Sequence, residues 1–284
     1  MLEISDLTEM QRQALDWKRS GRPLVFVPTM GFLHDGHASL MRLARARLPE
    51  ARLVVSIFVN PAQFGPKEDF ARYPRDLARD RALCAENGVD LIFLPTAPAI
   101  YPEGFATWID PGEIAAVFEG AIRPGHFRGI ATVVLKLFQL VQPDAAVFGQ
   151  KDAQQVAVIK QLVRDLNLPV ELFIAPTRRE DDGLAMSSRN VYLSPEERSQ
   201  APVLSAALRT AVQTIKLGQR SGDAVRARME AVVRERPLAR LDYADVVDAA
   251  TFKPLDKLQG NALLLIAARF GATRLIDNEP ITIS

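Results

Sequence analysis

Through the first 176 residues, short runs rich in Val, Ile, Leu and Phe alternate with longer segments of helical length. The runs cover residues 24–28, 53–59, 89–95, 145–148 and 170–176, and between them lie stretches at 39–48, 69–87, 130–141 and 153–166. The runs are apolar along their whole length rather than at every second position, as expected of strands buried on both faces. Strands that take turns with helices pair in parallel, because each crossover returns the chain to the same end of the sheet. The pattern predicts an α/β fold with a doubly wound, Rossmann-like parallel sheet and helices on both faces. In such a sheet ligands bind beyond the carboxyl ends of the strands, which singles out the loops at 29–37, 60–65, 149–152 and 177–189.

Past Arg189 the pattern changes. Residues 195–217 and 223–235 read as helices, separated by the polar stretch from Gly218 to Gly222. Ser194 ahead of Pro195, Glu196 and Glu197 has the form of a helix start. Strand candidates follow at 241–247, 262–269 and 273–277, the last two joined by Gly271-Ala272 in the manner of a hairpin. The expected organisation is a nucleotide- and substrate-binding domain over 1–177 and a smaller C-terminal α+β lid domain over 178–284.

Composition narrows the partners. A net charge of +1 gives no overall basic surface, so neither nucleic acid nor membrane is an expected partner. Cys84 is the only cysteine, which rules out an intramolecular disulfide. Its place in a helical stretch reads as a buried structural thiol. No basic-then-apolar signal pattern opens the chain, and no apolar run nears the roughly 18 residues of a membrane span. A cytoplasmic protein is the expectation.

The most informative loop is Pro28-Thr29-Met30-Gly31-Phe32-Leu33-His34-Asp35-Gly36-His37. It joins a strand to a helix and carries two of the three histidines. A helix that starts near His34 puts both imidazoles on one face of its first turn, beside unpaired N–H groups and the positive end of the dipole. That arrangement suits phosphate. A zinc pair finds no third ligand, since only His126 and Cys84 remain. A second loop, Met186-Ser187-Ser188-Arg189, offers two hydroxyls and a guanidinium to triphosphate oxygens, though such a triplet is also common in plain loops. A third, Gly149-Gln150-Lys151-Asp152, combines a close backbone approach with a mobile cation, with Gln155 one helical turn on. A solvated Lys-Asp pair capping a helix is its ordinary reading. A fourth, from Asn60 to Gly65, presents Asn60 and Gln63 among apolar neighbours, which suits a small polar organic substrate. The Gly- and Arg-rich stretch from Glu119 to Gly129 reads as a site loop or a lid, without a legible mechanism.

Taken together, residues 28–37, 58–65 with Tyr73-Pro74-Arg75, 127–136, 148–155 and 182–190 closely resemble the pantoate–β-alanine ligase family, in the family's order and over nearly the whole chain. The resemblance implies a two-step reaction. Pantoate and Mg-ATP give pantoyl adenylate and pyrophosphate, and β-alanine then yields pantothenate and AMP. It implies that Met30, Gly31, Phe32, Leu33, His34, Asp35, Gly36 and His37 form part of the ATP site, with His37 as proton donor. It implies further ATP contacts from Gly149, Gln150, Lys151 and Asp152, from Arg178, and from Met186, Ser187, Ser188 and Arg189. Gln63 and Gln155 match the glutamines that hold pantoate, and Asn60 joins them as a substrate-side residue. His34, His37, Lys151 and Arg189 are the expected catalytic set. The resemblance also implies Mg²⁺, with Asp80 and Asp76 as candidate carboxylates, and a homodimer. One departure is Arg178, where related sequences usually carry a small aliphatic residue; its side chain is expected to point outward. The readings held against this one are a nucleotidylyltransferase for another small acceptor and a nucleotide-binding module without catalysis.

Overall fold

The computed structural model describes residues 1–66 and 68–284. Its regular elements, in chain order, are β1 (Leu2–Ile4), α1 (Leu7–Arg19), β2 (Leu24–Thr29), α2 (Asp35–Arg47), β3 (Arg52–Ile57), α3 (Leu77–Glu86), β4 (Leu91–Phe93), α4 (Ala97–Ile100), α5 (Glu119–Ile122), α6 (His126–Val141), β5 (Ala145–Gly149), α7 (Ala153–Asp165), β6 (Glu171–Ala175), α8 (Pro195–Gln200), α9 (Val203–Lys216), α10 (Gly222–Arg234), β7 (Ala239–Asp248), β8 (Gly260–Phe270) and β9 (Thr273–Ile283). The contacts divide the chain into two compact units. One comprises Met1–Gly149 with Gln154–Ala175, the other Gln150–Ala153 with Pro176–Ser284.

In the first unit six strands lie in the order β1-β4-β3-β2-β5-β6, and every neighbouring pair is parallel. The central strands are Val-, Ile- and Leu-rich because helices cover both faces, and Leu24, Val25, Phe26, Val27, Leu53, Val54 and Val55 are fully buried. Phe138 of α6 packs edge-on against Phe26 and Phe148, with ring centroids 6.4 Å apart in each pair. Strand order reverses at β2: the chain runs outward to β3 and β4 on one side and resumes with β5 and β6 on the other. That reversal leaves a crevice at the carboxyl ends of β2 and β5, the place where open α/β sheets hold ligands.

In the second unit β7, β8 and β9 form an antiparallel meander. Leu204 and Leu208 of α9 and Val225 and Met229 of α10 pack with Val246, Leu264 and Ile266 of the sheet in one apolar cluster. Phe270 pairs with Thr273, so β8 and β9 are joined by Gly271-Ala272 as the sequence predicts. Gly271 takes a φ of +56°, which the turn requires and a β-carbon resists.

Several elements differ from the sequence reading, each for a local reason. The stretch at 69–87 is a single 3₁₀ turn at Phe70–Arg72 and α-helical only from Leu77, where Asp76 caps the first turn by accepting the Arg79 N–H at 3.1 Å. Pro74 and the bend around it exclude a longer helix. The stretch at 195–217 is two helices, because Pro202 has no N–H to continue α8. β9 continues past Asp277 and through Pro280 to Ile283; it is an edge strand, and an edge tolerates proline. β1 and α1 lie outside the predicted pattern. Ser194 caps α8 in a reciprocal box with Glu197, as expected of that helix start. Cys84 is fully buried, and burial pushes its thiol up to about 12.

Candidate active site

The turn after β2 is held by one buried carboxylate. Gly31 and Phe32 take φ values of +82° and +50°. The second is costly for a residue with a β-carbon, about 1 kcal/mol or more. Two bonds fix it. Asp80 of α3 accepts the Phe32 N–H at 2.9 Å and the Leu33 N–H at 2.6 Å. Asp80 is 1% exposed. Burial raises its carboxyl above the usual range, and the two amide bonds work against that shift. Position 31 has no room for a side chain: a β-carbon would sit 2.8 Å from Ile57 Cγ2 and 3.0 Å from Asp80 Oδ2. Asp80 thus spends its oxygens on the turn and Asp76 caps a helix; the candidacy of either as a magnesium carboxylate has no geometric support. Among the described residues no three His, Cys, Asp or Glu side chains group as metal ligands.

The turn delivers the chain into α2 with His34 as the capping residue. His34 Nδ1 accepts the Gly36 N–H at 3.1 Å, and the His34 N–H donates to His37 Nδ1 at 3.3 Å. The rings lie 4.2 Å apart, centroid to centroid. An Nδ1 that accepts from a backbone amide carries no proton, so these bonds select the neutral tautomer with the proton on Nε2 in both rings. Histidine serves here as Ser and Glu do in the usual capping box, and it adds a ring N–H donor at the helix's positive end.

The loop after β3 carries Asn60 and Gln63. Asn60 is 1% exposed and fully engaged. Its Nδ2 donates to Gln63 Oε1 at 3.1 Å and to the Gly129 carbonyl at 3.2 Å, and its Oδ1 accepts from Ala62 N at 3.2 Å and from the Tyr101 hydroxyl at 2.8 Å. Burial raises the Tyr101 phenol, and the bond to Asn60 opposes the rise. Asn60 therefore orients Gln63, whose Nε2 also reaches Met30 Sδ at 3.1 Å. Gly129 of α6 lets the loop seat: a β-carbon there would lie 2.3 Å from the Ala62 carbonyl oxygen and 2.8 Å from Gln63 N.

Arg123 and His126, from the stretch whose role was not legible, hold the same loop. His126 Nδ1 meets the Gln63 carbonyl at 2.8 Å, and Arg123 Nη1 meets His126 Nε2 at 2.8 Å. The carbonyl accepts and the guanidinium donates, so His126 is neutral with its proton on Nδ1. Arg123 in turn forks onto Glu68, Nε to Oε1 at 2.9 Å and Nη2 to Oε2 at 2.6 Å. Burial pushes the imidazolium of His126 down to about 4, and the charge on Arg123 adds to that. Of the paired glutamines on α7, Gln154 is 4% exposed and bonded to Ile114 O and Val117 O, each at 2.8 Å. Gln155, the predicted substrate contact, is half-buried.

Apart from Gly149, which ends β5 in the first unit, the second unit holds the other predicted nucleotide contacts. Arg178 is exposed, as expected from its charge, and its carbonyl accepts the Met186 N–H at 2.9 Å. Arg179 bridges to Ala185, which closes a small hairpin around Gly183 and sets Arg178 beside Met186. Ser187 Oγ accepts the Arg189 N–H at 3.2 Å at the start of the turn Ser188–Tyr192. Arg179 fastens the hairpin to β9, with Nη1 2.6 Å from Asp277 Oδ2 and Nη2 3.1 Å from Asp277 Oδ1. Lys151 and Asp152 face one another at 3.6 Å. By its contacts the segment Gln150–Ala153 belongs to this unit, so Lys151, Ser187, Ser188 and Arg189 share one body. Sequence reasoning missed Asp80 as a clasp, Tyr101, Arg123, Asp277 and Asn278, whose partners lie tens of residues or more away.

Comparisons with known proteins place the whole chain in one family. The family profile described as pantoate-beta-alanine ligase matches residues 3–280. A pantothenate synthetase of Carboxydothermus hydrogenoformans is 51% identical over 276 residues, 97% of each chain. One from Roseiflexus sp. is 57% identical over 89% of this chain and 90% of its own. A crystal structure of the Thermus thermophilus enzyme superposes with a TM-score of 0.90 at 49% identity, over 98% of this chain and 99% of that one. A pantoate-beta-alanine ligase from Francisella tularensis, complexed with beta-gamma ATP and beta-alanine, gives 0.79 at 34% identity, over 98% and 97%.

Proposed function

The chain belongs to the pantoate–beta-alanine ligase family, whose reaction is the ATP-dependent condensation of pantoate with β-alanine through an acyl adenylate, and from that premise we propose which of its residues do what. The first step brings a carboxylate to the α-phosphate of ATP, an approach of two anions. Its barrier falls when fixed donors meet the charge that builds up as pyrophosphate leaves. The observation that carries the reading is the histidine pair at the clasped turn. Capping fixes both rings as neutral Nε2–H donors, so they meet phosphate without first having to lose or gain a proton. In this scheme His37 gives its Nε2–H hydrogen bond to the charge that develops on phosphate, with His34 as its partner. The backbone from Met30 to Gly36 lies against the nucleotide, where Asp80 keeps the Phe32 and Leu33 amides in place.

Lys151 and Arg189 supply mobile and planar positive charge to the triphosphate, with Gly149, Gln150, Asp152, Arg178, Met186, Ser187 and Ser188 as the surrounding nucleotide contacts. Gln63 and Gln155 hold pantoate, and Asn60 acts by orienting Gln63. Adenylation creates the leaving group, so the attack of β-alanine needs orientation and exclusion of water rather than a protein nucleophile. Magnesium fits this donor set as part of Mg-ATP: the ion prefers phosphate oxygens and water, and the described residues offer no carboxylate cage. It would shield the triphosphate charge. The proposal extends to a homodimer, on the family resemblance, and to the cytoplasm, where a single buried thiol stays reduced. No helix among the described residues is long and apolar enough to cross a membrane.

Rapid mixing with pantoate and Mg-ATP in the absence of β-alanine tests the assignment. One pyrophosphate per site in the native protein, and none in His37→Ala with unchanged unfolding, is the expected result. Equal bursts in both would remove His37 from the first step.

A further inference from the structure

The loop that carries Lys151 is tied to a residue 127 positions away. Asn278 of β9 is 2% exposed. Its Nδ2 donates to the carbonyls of Gln150 and Lys151, both at 2.9 Å, and its Oδ1 accepts from Gln150 Nε2 at 3.0 Å. Both amide protons and the amide oxygen are thereby used within one loop. The residue before it, Asp277, anchors Arg179 and with it the hairpin that leads to Met186, Ser187, Ser188 and Arg189. Two adjacent residues of one strand thus hold both segments proposed to meet the triphosphate. We propose that Asn278 is a positioning residue for nucleotide binding and adenylation. This rests on the reading of 149–152 as a triphosphate loop.

The physical reason is the planarity of the peptide. In a trans peptide the C=O of one residue and the N–H of the next point in opposite directions. Two carbonyls drawn onto Asn278 therefore turn the N–H groups of Lys151 and Asp152 away from β9. The loop is left presenting amide donors and the Lys151 ammonium, with its carbonyl oxygens, which would repel phosphate, held at the back. Only an amide side chain does this. A carboxylate at 278 would face two carbonyl oxygens with no proton to give, and an apolar side chain would leave both carbonyls unpaired in a dry place.

The test uses Asn278→Asp in the full chain, with Lys151→Ala alongside. Two half-reactions are followed: pyrophosphate formation from pantoate and Mg-ATP, and pantothenate formation from preformed pantoyl adenylate and β-alanine. For Asn278→Asp we expect adenylation to slow by about tenfold or more and KM for ATP to rise, with the second half-reaction within about twofold of native and KM for pantoate little changed. Lys151→Ala loses adenylation as well. If Lys151→Ala fails but Asn278→Asp adenylates like the native enzyme, the proposal is overturned. A fall of both half-reactions together would make Asn278 a structural residue only, which also overturns it. If Lys151→Ala adenylates normally, the underlying reading of the loop is at fault instead. Should Asn278→Asp not fold, Asn278→Ser leaves at most one proton for the two carbonyls that Asn278 now holds. It is expected to show the same split at smaller size, and no split refutes the proposal.

Discussion

Replacing His126 with asparagine should flatten the protein's loss of stability in acid. His126 is held neutral between the Gln63 carbonyl and Arg123, with its ionisation pushed down to about 4 from an ordinary value of 6.5. Burial is the main cause and the Arg123 guanidinium the second. A folded-state value below the unfolded one means that the unfolded chain takes up the proton first. The stability is fully present above about 6.5 and is lost as pH falls through 6.5 towards 4. A gap of about 2.5 units at about 1.36 kcal/mol per unit gives roughly 3 kcal/mol. His126 is only partly buried as a residue, so this is an upper bound. Asparagine can donate to the Gln63 carbonyl and accept from Arg123 without titrating. The measurement is urea unfolding of both proteins at several pH values from about 7 to 4. Carboxylates that titrate in the same range contribute equally to both and cancel in the difference. The native protein should lose about 2–3 kcal/mol more than His126→Asn across that window. Parallel curves would show that His126 takes up its proton as readily in the fold as in the unfolded chain, and the bonding assigned to it would be wrong.

Three further outcomes follow from the geometry. Gly129→Ala should destabilise the chain by about 2 kcal/mol or more and raise KM for pantoate, because its β-carbon would meet Ala62 O at 2.3 Å; an unchanged thermal midpoint would count against the close seating of the 60–65 loop. Lys151→Ala should slow adenylation by about a hundredfold while the unfolding free energy stays within about 0.5 kcal/mol, since the ion pair of its side chain among the described residues is a long one, to a half-exposed Asp152. Cys84, with its thiol pushed up to about 12, should not react with a thiol reagent at about pH 8 until the protein is unfolded; rapid labelling of the native protein would contradict its burial.

The β-α alternation was legible because strands buried on both faces leave continuous apolar runs, and it led to the parallel sheet. The strand-to-helix loop with His34 and His37 was equally visible, since the cap and the turn lie within ten residues. What was hidden depends on distance in sequence. Nothing near Asp80 announces that it will clasp two amides 47 and 48 positions earlier. Nor does the stretch around Arg123 and His126 indicate that it holds a carbonyl about 60 residues upstream. Asn278 looks like any polar residue on an edge strand until the 149–152 loop is folded against it. A three-residue β1 is too short to carry a periodicity, and the apolar pattern of 195–217 runs on across Pro202, which divides the stretch into two helices.

Joining an acid to an amine through an adenylate leaves a defined set of products. The direct measurement is product identity with D-pantoate, β-alanine and Mg-ATP together. The adenylate route yields pantothenate, AMP and pyrophosphate in equal amounts, with AMP release dependent on both organic substrates. Formation of ADP and phosphate, or AMP release that does not require pantoate, would contradict it.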